Sequence, residues 1–165
     1  MKIFMSLYLL IFMILLTVSS FADKSPEEIR NQVQVLIEES RGSSDWIYIG
    51  QTERGFVGFL SKDRFKVEGN KRKAWTKVFL KNGMKVRNNK DEEKMLIYTL
   101  THSIYDCSSD KVSDIKTVEY FSDGTNDSRN YLSFYKVYPE KRWTDIIPGS
   151  VGDILLKFIC SYSPS

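Results

Sequence analysis

The chain reads as an α+β protein: an antiparallel β-sheet with one helix before it and one packed on it from the C-terminal side. Three observations carry that reading. Apolar residues recur with period two in serial segments from Trp46 onward, and no helical pattern of about 10–15 residues separates them, which favours antiparallel pairing over βαβ units. A capped amphipathic pattern precedes the series at Ser25. A second follows it at Ser150.

In chain order, residues 1–22 come first. Of these 22 residues, 17 are hydrophobic. Lys2 supplies a short positive start, Ile3 to Leu16 form an apolar run broken by Ser6, and Ser20-Phe21-Ala22 is a small-x-small cleavage site. This is the pattern of a secretory signal peptide. The alternative, an uncleaved anchor, meets a run that is short for a full span and no basic stop-transfer cluster after it. No Cys stands at the cleavage point, so a lipid anchor is not indicated. Setting the segment aside leaves 143 residues, a length suited to one small domain.

Ser25-Pro26-Glu27-Glu28 starts a helix: Ser25 caps, Pro26 takes the first helical position and Glu28 closes a capping box. Ile29, Val33, Leu36 and Ile37 follow at helical spacing, and Gly42 is the expected stop. Strands are then expected at Trp46 to Ile49, Phe56 to Leu60, Phe65 to Val67, Ala74 to Leu80, Met95 to Tyr105 and Ile115 to Phe121. In the fourth, Trp75, Lys77 and Phe79 point one way, and Thr76, Val78 and Leu80 the other. Asn82-Gly83 is a strong turn signal, and residues 84–94 read as a solvated loop or hairpin edge. Residues 125–130 read as a polar loop, and Tyr131 to Tyr138 as one more strand. Pro148 and Gly149 break the chain before a last helix, capped by Ser150 and striped by Ile154, Leu155, Phe158 and Ile159.

The chain has two cysteines, Cys107 and Cys160. Export permits them to pair, which would staple the last helix to the sheet; two buried free thiols are the alternative. With a single His, a Cys/His zinc site has too few ligands.

Catalytic signals are weak, and the chain is read as a non-enzyme with no cofactor, no metal and no catalytic residues assigned. His102, the single His, sits inside a strand pattern, where a structural or surface role is the ordinary one. No GxSxG, HExxH or P-loop pattern occurs. Lys71, Arg72 and Lys73 beside Trp75 form a candidate polyanion patch, weighed against a solvated edge. Export argues against nucleic acid as its partner. Tyr131, Phe134, Tyr135, Tyr138 and Trp143 concentrate aromatics late in the chain. They read as sheet core, and any exposed part of them as an interface. Asn126-Asp127-Ser128 is formally a glycosylation acceptor.

The series Trp46-Ile47-Tyr48-Ile49, Tyr105-Asp106-Cys107, Tyr120-Phe121 with Asp123-Gly124, and Trp143 to Asp153 with Cys160 resembles the bacterial surface-adhesin E family over residues 46–160. Its most specific part is W-x-x-I-x-P-G-S, with a Cys ten residues after the Ser and an earlier Y-D-C. The resemblance implies an antiparallel sheet with a C-terminal helix tethered by Cys107 and Cys160, with Trp143, Pro148 and Ser150 framing the helix start. It also implies a host extracellular-matrix or serum protein as partner, and a homodimer. The expected organisation is a signal peptide over 1–22, a helical segment over 23–45 and an adhesin-like domain over 46–165. The product would be an exported binding protein in the periplasm, on the cell surface or secreted, with no stable membrane span after cleavage. The alternatives are an envelope-associated structural protein, a small secreted hydrolase and a polyanion binder.

Overall fold

The computed structural model describes residues 24–163; the signal-peptide reading lies outside the described residues. Helix α1 (Pro26–Gly42) begins as its sequence dictates. The Ser25 hydroxyl accepts from the Glu28 N–H, and the Glu28 carboxylate accepts from the Ser25 N–H, a reciprocal box. Strands β1 (Trp46–Gln51), β2 (Phe56–Ser61), β3 (Lys66–Glu68), β4 (Lys71–Arg87), β5 (Glu93–Asp106), β6 (Lys111–Phe121) and β7 (Asn126–Asn130) follow. After a short helix α2 (Leu132–Val137) come a 3-10 turn, a two-residue strand β8 (Thr144–Asp145) and helix α3 (Val151–Ser161). The strands form one antiparallel sheet in the order β1-β2-β4-β5-β6-β7. β3 shares an edge of β4, and β8 shares an edge of β6.

The two main helices cover opposite faces. Ile29, Val33 and Ile37 of α1 are buried on Val57, Phe59, Phe79 and Ile97. Leu155, Leu156 and Ile159 of α3 are buried with Leu60, Ala74 and Tyr105. The alternation read along β4 explains the split: Phe79 serves the α1 face, and Ala74 and Val78 the α3 face. Cys107 and Cys160 are joined, with their Cα atoms 5.7 Å apart, so α3 is tethered to the end of β5. Ser150 caps α3 by accepting from the Asp153 N–H.

Three local expectations are corrected. Asn82-Gly83 does not end a strand: β4 runs through it as a bulge, with Phe79 opposite Tyr98 and Met84 opposite Leu96. Gly83 has φ +65°, and a Cβ there would meet the Met95 sulfur at 2.7 Å and Ile29 of α1 at 3.1 Å. A glycine is therefore required both by the backbone and by the approach of the helix. The actual reversal lies at Asn88–Glu92, where the Asn88 side-chain oxygen accepts from the N–H groups of Lys90 and Glu92.

Residues 126–130 are a strand, not a loop. Their backbone pairs with β6 from Lys116 to Tyr120, and ladder bonds do not require apolar side chains at an exposed edge. The Tyr131 to Tyr138 segment is helical, not a strand. Tyr131 meets Tyr135 and Phe134 meets Tyr138, pairs four residues apart that only a helical period brings together.

Below α3, Ser103 donates to the Asp114 carboxylate at 2.7 Å. Burial pushes Asp114 above the ordinary aspartate range, against the opposing Ser103 bond. The unfolded chain thus loses this proton first, and stability falls as pH rises from the ordinary value toward the raised one. Asp114→Asn is expected to raise the urea midpoint at about pH 7 and to leave it unchanged at about pH 3, below the ordinary aspartate value. Equal gains at both pH values would remove ionisation as the cause.

Candidate binding surface

Strand alternation divides the basic cluster. Lys71 and Lys73 share one face of β4, and Arg72 takes the other. Arg72 donates to the carbonyls of Gly69 and Lys71, holding the tight turn before it. The Lys71 ammonium lies 5.1 Å from the Trp143 ring centre. Lys73 faces His102. The three neighbours in sequence therefore serve three sites.

His102 stacks on Trp75, with ring centres 4.8 Å apart and planes 7° from parallel. Burial, then Lys73 and Arg64, holds its pKa below the ordinary histidine value. Among the described residues no carboxylate hydrogen-bonds to it. A histidine base of the serine-hydrolase kind would need such an orienting carboxylate.

Sequence reasoning missed the surface built around this stack. Across β4, β5 and β6, Trp75, His102 and Lys116 form one row. Lys77, Leu100 and Val118 form the next, and Phe79, Tyr98 and Tyr120 the third. Tyr98 and Tyr120 stack at 4.3 Å, and burial followed by Tyr120 pushes the Tyr98 hydroxyl up to about 12. The Arg64 guanidinium lies over the outer side of the Trp75 row, 5.8 Å from the ring centre. Rows two residues apart are about 7 Å apart, so small Leu100 and Val118 form a trough between taller aromatic walls. With Asp45 and Asp63 at its rim, this makes a hollow of about 430 Å³ beside α1. Alternation in the sequence marks the shared face of each strand. It does not say that three strands align these rows.

The late aromatics lie elsewhere and are not sheet core. No residue of α2 is buried. Leu132, Phe134, Val137 and Tyr138 are between 42% and 67% exposed, and together they form an apolar arm with Lys136 and Lys141 beside it. A larger open groove, about 900 Å³, runs between the β1–β2 turn and the approach to α3, where Ile147 is 73% exposed. Among the described residues, no group of three or more His, Cys, Asp or Glu side chains could hold a metal, and no helix is long and apolar enough to cross a membrane.

A sheet clasped between two helices, one of them stapled by a disulfide, is the α+β framework that carries these exposed aromatic surfaces. The sequence model of surface-adhesin protein E matches residues 46–161, and the chain belongs to that family. It is similar to crystal structures of protein E from Haemophilus influenzae. One shares 14% identity over 73% of this chain and 91% of that one, with a TM-score of 0.46. A second, of protein E from the non-typeable bacterium, shares 13% identity over 72% and 76%, with a TM-score of 0.42. A third shares 13% over 73% and 87%, at 0.44. No curated protein matches the chain.

Proposed function

We propose that the chain is an exported binding protein that works outside the cytoplasm and holds a protein partner through its apolar arm. The carrying observation is that Leu132, Phe134 and Val137 stand exposed on a helix that buries none of its own residues, with Tyr138 exposed just after it against the Phe134 ring. Clustered exposed apolar side chains, aromatics among them, mark interfaces more often than they mark solvent-facing surface. Membership of a surface-adhesin family and the paired cysteines support an oxidising, extracytoplasmic setting. A host matrix or serum protein is the partner this reading favours over an envelope protein. A homodimer belongs to the same reading, and sedimentation of the purified protein tests it.

Polyanion binding by Lys71, Arg72 and Lys73 as a unit has less support, because Arg72 is committed to its turn. Phe134→Ala with Val137→Ala is expected to weaken capture of purified matrix and serum proteins on a solid phase at least tenfold. The circular dichroism spectrum should stay unchanged, since neither side chain is in the core. Undiminished capture by the double variant would refute the arm as the contact.

A further inference from the structure

The hollow beside α1 has a definite chemical character. Its floor is aliphatic, Leu100 and Val118, and its walls are Trp75 and Tyr120, each backed by its stacking partner, His102 and Tyr98. Its volume of about 430 Å³ lies in the range of pockets that enclose a small ligand or a few side chains. Arg64 lines it together with Asp45 and Asp63, while Lys73, Lys77 and Lys116 stand at neighbouring register positions on the same face of the sheet, and none of the four cations makes an ion pair among the described residues. The Lys77 ammonium lies 4.2 Å from the centre of the Trp46 ring and donates to the Ser40 hydroxyl. Four cations without an ion pair on this face, set against Asp45 and Asp63 in the lining, leave a positive excess beside an apolar trough, which suits a ligand that is apolar at its centre and anionic around it.

We propose that this hollow binds an acidic segment of a protein partner. One apolar side chain of that segment sits over Leu100 and Val118, and flanking carboxylates reach Arg64, Lys73 and Lys116. Guanidinium donors match carboxylates in a planar fork, and the Arg64 guanidinium already lies over the Trp75 ring, 5.8 Å from its centre. A uniformly anionic glycan fits less well. The aliphatic floor at Leu100 and Val118 offers such a chain nothing to bury, whereas a peptide can set an apolar side chain there. The inference shares the recognition reading above but uses a different surface, so each can fail alone.

The probe is a fluorescein-labelled synthetic peptide with one Phe between two pairs of Glu, titrated into the purified protein and followed by anisotropy. Saturable binding is expected. It should weaken at least tenfold when Ser replaces the peptide's Phe, and at least tenfold in the Arg64→Glu, Lys116→Glu double variant. Val118→Glu, which places a like charge on the floor, should abolish it. Phe134→Ala with Val137→Ala should leave it intact, separating the hollow from the arm. Thermal unfolding of each variant confirms that the fold persists. No saturable binding, equal binding of the Ser peptide, equal binding by the charge-reversed variant, or displacement of the peptide by heparin at lower concentration than by unlabelled peptide would each overturn the proposal.

Discussion

Replacing Cys107 and Cys160 together with Ala is expected to lower stability by about 4 kcal/mol, the chain-entropy value for so long a loop. The bond spans a sequence separation of 53 and joins the end of β5 to the last turn of α3. Without it, α3 is held by packing only: Leu155, Leu156 and Ile159 are buried, with Val151 and Phe158 half-buried beside them, on an 11-residue helix. Helices of that length are marginal by themselves in water, so docking and helicity should weaken together. Thermal unfolding without reductant should show the double variant melting roughly 10–15 °C below the parent. A drop of a degree or two would show that packing suffices and that the staple adds little.

Phe59→Ala is expected to cost about 3–5 kcal/mol, as for other large aromatic truncations in a closed core. Phe59 has no exposed surface, and its ring makes edge contacts with Tyr48 at 5.6 Å and Phe79 at 5.8 Å. It also lies under α1, in the cluster formed by Ile29, Val33 and Ile37. Urea unfolding should show a lower midpoint with an unchanged slope. Amide exchange should accelerate first in α1, while α3 on the opposite face keeps its protection. Uniform acceleration across both helices would mean that the two faces unfold as one unit and share their stabilisation.

The elements that the sequence shows best are those whose signal is local. The Ser25 and Ser150 caps satisfy N–H groups within one turn, so a few adjacent residues suffice to see them. The alternations from Ala74 to Leu80 and from Met95 to Tyr105 are legible because those stretches carry the buried residues of β4 and β5, whereas the exposed far half of β4 reads as a loop. Two readings failed for complementary reasons. Asn126–Asn130 has no apolar face because it lies at an exposed edge, and only β6 beside it makes it a strand. Tyr131 to Tyr138 is rich in aromatics, which composition assigns to a sheet. Its ring contacts are four residues apart, and that spacing was present in the sequence to be found. At Asn82-Gly83 the turn dipeptide was real, but its positive-φ glycine was used for a bulge that lets Ile29 of α1 come close.

The sequence alone determined that this is a single sheet with two capped helices, and that two cysteines were available to tether one of them. Those features arise from periodicity, capping and residue chemistry, which act over a few residues. Only the tertiary structure decided that the helices cover opposite faces. It also decided that Lys71, Arg72 and Lys73 disperse, and that Arg64, Trp75, His102 and Lys116 assemble from a loop and three strands. The physical reason is that alternation states which side chains share a face of one strand. Which strands lie side by side, in what register, and what covers them is settled by contacts between residues far apart in the chain.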